Sequence, residues 1–110
     1  MVDVCASSDV PIGEGRVATV GGRRIAVFRA ASGWFALDDA CPHRDGPLSD
    51  GILADACVVC PLHDRRFELE SGASLSGDCD DVTAHHLEER DGRIYVELAG
   101  EEEQRASRAA

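Results

Sequence analysis

The apolar residues of this chain fall in short β-rich runs broken by polar, glycine-bearing turns, which predicts strands rather than helices. Residues 16–20 and 23–28 flank Gly21 and Gly22, and a Gly-Gly pair between two β-rich runs is a strong hairpin signal. Residues 34–37 form the next strand and deliver the chain to Cys41. Ile52 and Leu53 are expected to pair with residues 57–59 across Ala54 and Asp55. Residues 66–69 then alternate toward a turn at Ser71 and Gly72, and residues 82–87 pair across Asp91 and Gly92 with residues 93–98. No stretch has a convincing amphipathic-helix period. Many short strands with regular turns predict an all-β fold, a small antiparallel sandwich or barrel.

Two stretches inside that pattern carry chemistry instead of core. Cys41, Pro42 and His43 form the first; Cys60, Pro61, Leu62 and His63 form the second. Each supplies one thiolate and one imidazole, and two separate stretches can approach a bridged pair of irons from opposite sides. A single helix could not. Pro42 and Pro61 directly follow the two cysteines, fix φ and remove a backbone donor, so both stretches start stiffened. Gly46, Pro47 and Gly51 add turn chemistry around the first stretch, where backbone has to pass close to a cofactor.

At these residues the chain resembles the Rieske iron-sulfur family, whose pattern is Cys-x-His, a gap of this order, then Cys-x-x-His. The flanking text agrees, with Gly46, Pro47, Leu48 and Ser49 after the first pair and Val58 and Val59 before the second. The resemblance implies one [2Fe-2S] cluster whose ligands are Cys41, His43, Cys60 and His63, the cysteines on the buried iron and the histidines on the outer one. It implies a scaffold of residues 1–99 with a cluster-binding subdomain at about 41–69 inserted between strands. Two imidazoles in place of two thiolates make the core less negative, which raises its potential above that of an all-Cys cluster. Respiratory Rieske proteins carry an extra cysteine in each ligand stretch and a hydroxyl after the second histidine. Gly46, Leu62 and Arg65 stand in those places here, which predicts a potential toward the lower part of the Rieske range, roughly −150 to +300 mV.

Within the family the wording is most similar to the small subunit of assimilatory NAD(P)H-dependent nitrite reductase, whose large subunit reduces nitrite to ammonia. The alternative is a free Rieske ferredoxin passing electrons from a flavin reductase to an aromatic-ring-hydroxylating dioxygenase. Residues 73–81 contain no proline, whereas members of the ferredoxin group often have a proline-bearing stretch over the cluster. Asp64 and Arg65 depart from the small glycine and aromatic residue often found after the second histidine. In each reading the chain is an electron-transfer component with a redox partner protein, not a catalyst alone. A third class keeps the fold as a structural subunit without a cluster.

Other residues compete for attention. A tetrahedral zinc could use the same four donors, and Cys57 with Cys60 is formally a Cys-x-x-Cys. Residues three apart in a strand face opposite sides, however, so Cys57 reads as a small buried hydrophobe. By the same rule His85 and His86 face opposite sides and cannot clamp one metal together. Cys79 lies in an acidic segment and reads as a thiol near the surface.

At 110 residues there is room for one core, with residues 100–110, which include three consecutive glutamates, expected as a flexible tail. The net charge of −10 leaves no basic face for phosphate, which excludes nucleic acid as a natural partner, and suits a partner with a basic docking surface. No apolar run is long enough to cross a bilayer, so no membrane role is expected. Five cysteines, an odd number tied to the metal pattern, argue against a disulfide scaffold and for the cytoplasm.

Overall fold

In a computed structural model of the chain, which describes residues 1–40, 47–61, 65–75 and 80–99, the chain is all-β and antiparallel. Among the described residues nine strands follow in order: β1 Val2–Ala6, β2 Glu14–Val20, β3 Arg23–Ala30, β4 Gly33–Asp38, β5 Ile52–Ala54, β6 Cys57–Val59, β7 Arg66–Glu68, β8 Ala84–Arg90 and β9 Arg93–Glu97. Two short 3-10 turns, Ser7–Asp9 and Leu48–Asp50, lie between strands. None of the described residues forms a helix long and apolar enough to cross a membrane.

Six strands make one sheet in the order β1-β9-β8-β4-β3-β2, and it curls so that its edges β1 and β2 approach each other. The other three make a small sheet in the order β5-β6-β7, inserted in the chain between β4 and β8. The expected hairpin is present: β2 and β3 pair from Glu14↔Arg29 to Val20↔Arg23, and Gly21 and Gly22 take φ of 58° and 83° to turn the corner.

Strand β3 explains how two sheets share one small protein. Ile25, Ala26, Val27 and Phe28 are all fully buried, so this strand is covered on both faces. Ile25 and Val27 join Val20, Ala36, Ile94 and Val96 inside the curled sheet. Ala26 and Phe28 point the other way, into a cluster with Leu37, Leu48, Val58, Cys60 and Phe67. That second cluster is the contact between the large sheet and the small one. A side-chain period of two lets one strand serve both.

The structure departs from the sequence reading at three places. Strand β1 was not foreseen; it pairs with β9 but with its register shifted between Asp3 and Cys5, and that irregularity breaks the alternation. Strand β8 starts at Ala84, later than expected, and runs on through Glu88, Glu89 and Arg90. Val82 is instead held by its N–H donating to the Gly72 carbonyl at 2.9 Å. Cys57 is only half-buried, because β6 turns Val58 inward and leaves Cys57 on the outer face, where its thiol donates to the Ala54 carbonyl at 3.2 Å.

Candidate metal centre

Of the four candidate ligands, Cys60 falls among the described residues; Cys41, His43 and His63 lie outside them, as do Cys79 and residues 100–110. Cys60 is 1% exposed and sits at the end of β6 within the apolar cluster that joins the sheets. Its N–H donates to the Arg65 carbonyl at 2.7 Å, which pins together the two ends of the segment bearing His63. Ala40 and Pro47 form a β-bridge that does the same for the segment bearing Cys41 and His43. Leu48, one residue beyond that bridge, packs in the same cluster as Cys60. Both candidate stretches are therefore anchored on one apolar base.

A stack of polar contacts reinforces the first of these clamps. Asp39 is 0% exposed. Its Oδ1 accepts from the Ser49 N–H at 2.8 Å and its carbonyl accepts from the Leu48 N–H at 2.7 Å. Its own N–H donates to the Arg24 carbonyl at 3.0 Å, and its Oδ2 lies 2.8 Å from Arg24 Nη2. The neighbouring Asp38 faces the other side of the sheet. It accepts from Arg23 Nη2 at 2.8 and 3.0 Å and meets His85 Nε2 at 2.8 Å. Burial pushes the Asp38 carboxyl up, but the His85 hydrogen bond and the Arg23 charge outweigh it and hold the group below its ordinary value.

His85 and His86 behave as their adjacency predicts. The His85 ring is buried, while His86 is exposed beside Glu88. His85 Nδ1 accepts from the Ala99 N–H at 3.1 Å, so Nε2 carries the proton that is donated to Asp38. This histidine is fully engaged in holding the segment just beyond β9 against β4. The sequence signal for the whole arrangement was the pair Arg23 and Arg24 mirrored by the pair Asp38 and Asp39. In the β3–β4 register Ile25 faces Asp38, so Arg24 and Asp39 fall opposite each other one step further along. The sequence alone does not reveal the pairing, because it depends on which residue of β3 faces which residue of β4.

A buried thiol at the mouth of a clamped segment fits a metal centre, since thiolate is the ligating form and burying it alone would be costly. The donor set of two cysteines and two histidines fits a two-iron cluster. The architecture and this donor pattern thus define a class, a small antiparallel β-protein built around an iron-sulfur centre for one-electron transfer.

Comparison with known proteins makes the class specific. The profile of the Rieske [2Fe-2S] domain matches residues 1–88, and the chain belongs to that family. Its cofactor is accordingly a [2Fe-2S] cluster with Cys and His ligands, and its role is electron transfer. The chain is similar to ferredoxin CarAc of Metapseudomonas resinovorans, with 35% identity over 100 residues, spanning 89% of this chain and 92% of that protein. It superposes on a chain of the complex of reduced oxygenase and oxidized ferredoxin in carbazole 1,9a-dioxygenase with a TM-score of 0.78 and 32% identity, covering 87% of this chain and 100% of that one. It also superposes on a protein of Mycobacterium tuberculosis assigned as an NADH-dependent nitrite reductase small subunit. There the TM-score is 0.81 and the identity 25%, covering 89% of this chain and 95% of that one.

Proposed function

We propose that this chain is a free Rieske ferredoxin that passes single electrons to the oxygenase of a ring-hydroxylating dioxygenase system, having received them from a flavin reductase. The observation that carries this reading is the 35% identity to ferredoxin CarAc along almost the full length of both chains. The ligands are Cys41, His43, Cys60 and His63, of which Cys60 is the buried anchor. When bound, the cluster accepts one electron and gives it up again. His43 and His63 are neutral donors whose imidazole edges offer the route to a docked partner, and the acidic surface draws a partner with a basic face. Residues 1–99 constitute the Rieske domain, with 41–69 as its cluster-holding part and 100–110 as a tail. The reducing conditions that thiolate ligands prefer support a cytoplasmic setting.

A second reading, the small subunit of an NAD(P)H nitrite reductase, is favoured by the TM-score of 0.81 and by the ligand-stretch wording. The chain alone would not reduce nitrite in that case. Reconstitution separates the two readings. Purified chain is mixed with a flavin reductase and a ring-hydroxylating oxygenase, and in parallel with a sirohaem-bearing nitrite reductase subunit. NADH-driven substrate oxidation dependent on this chain supports the ferredoxin reading. Stable association with the sirohaem subunit, with no stimulation of the oxygenase, would replace it with the second.

A further inference from the structure

We infer that Asp39 is a positioning residue for the ligand stretch that begins at Cys41, and that the Arg24–Asp39 pair sets the reduction potential of the centre Cys41 helps to hold. This rests on Cys41 being a ligand. Aspartate is almost never fully buried unless it is paired, and Asp39 is 0% exposed. Four contacts explain its place: Ser49 N–H to Oδ1, Leu48 N–H to its carbonyl, its own N–H to the Arg24 carbonyl, and Arg24 Nη2 beside Oδ2. Together they join the end of β4 to the 3-10 turn Leu48–Asp50, the two sides between which Cys41 and His43 are carried. Beside the main-chain links, Leu48 N–H to the Asp39 carbonyl and the Ala40–Pro47 bridge, the Asp39 side chain adds the link to Ser49.

Holding those two sides requires only an acceptor, and a neutral amide would supply one. The charge therefore asks for a separate role. Among the described residues no donor is aligned on Oδ2, so Arg24 opposes that oxygen through charge at 2.8 Å. Arg24 is 61% exposed at its side chain, and water screens the cation more than the anion it faces. The residual field two residues from Cys41 is negative, and a negative field disfavours an added electron.

The test is redox potentiometry with iron analysis on the intact chain. In Asp39→Asn the acceptor for Ser49 survives and the charge goes, so iron content should stay near wild type and the potential should rise. In Asp39→Leu the side-chain part of the brace, the acceptor for Ser49, is lost, and iron content should fall. In Arg24→Gln a positive charge goes and the potential should drop, by less than Asp39→Asn raises it, because Arg24 is the more exposed and more screened of the two. A wild-type potential in Asp39→Asn, or an Arg24→Gln drop larger than the Asp39→Asn rise, overturns the inference. If Asp39→Asn does not fold, an unshifted potential in Arg24→Gln overturns it alone. Wild-type protein without the spectrum of a Cys- and His-ligated cluster overturns the ligand assignment itself, which is a distinguishable failure.

Discussion

His85 Nε2 meets Asp38 Oδ1 at 2.8 Å, while its other ring nitrogen accepts the Ala99 N–H, so one imidazole ties β4 to the segment just beyond β9. The arrangement has a pH consequence through Asp38. Its carboxyl is held below the ordinary value of 3.8, so the stabilisation it gives is present above that pH and is lost as pH falls through the lowered native value. Asp38→Asn should destabilise the fold by about 1 kcal/mol near neutrality, a modest figure because the group is partly exposed. The same variant should flatten the acid limb of the stability curve below about pH 4. Urea melts at stepped pH values measure both; an acid limb as steep as wild type would remove Asp38 from this role.

Phe67 is fully buried in the cluster that carries the small sheet on the large one. Phe67→Ala should cost roughly 3–5 kcal/mol and release iron well before the curled sheet unfolds, because Cys60 shares that cluster. Thermal melts followed by both cluster absorbance and far-ultraviolet circular dichroism would show the two transitions apart.

Gly51 is constrained by packing, not by backbone conformation. Its φ is −72°, which any residue can adopt, but a Cβ there would collide with the Val59 carbonyl and a Val58 methyl. Gly51→Ala should therefore destabilise by about 1–3 kcal/mol and lower iron retention, since Leu48–Asp50 must move away from β6. Unchanged stability would show that this junction relaxes freely.

Much of the fold could be read from the residue pattern because short β-rich runs and turn residues are local signals. The run at 23–28, the Gly21 and Gly22 corner and the strand pair around Asp55 all follow that logic. Strand β1 escaped because its register shift at Val4 spoils the alternation over only five residues. Cys57 is expected to be buried on the face opposite Cys60, but β6 turns Val58 inward and leaves Cys57 half-buried. The candidate ligands can be proposed from the sequence because metal spacing is also local, though three of the four lie outside the described residues. Asp39, Ser49 and Arg24 could not be found this way, since their meeting depends on which residue of β3 faces which residue of β4.

A net charge of −10 makes partner encounter dependent on ionic strength. Screening lengths shrink from ~10 Å at 0.1 M salt to ~3 Å at 1 M. Electron delivery to a partner with a basic face should slow by about tenfold across that range, with the chain's own potential little changed. Stopped-flow transfer at stepped salt checks it; a rate independent of salt would assign the acidity to solubility alone.

Electron paramagnetic resonance of the dithionite-reduced protein, taken together with iron and zinc analysis, bears most directly on the claim that Cys41, His43, Cys60 and His63 hold a two-iron cluster. The account predicts about two irons per chain, a reduced-state signal with resolved coupling to histidine nitrogen, and loss or change of that signal in His63→Cys. One zinc per chain without iron, or an unaltered signal in His63→Cys, would contradict it.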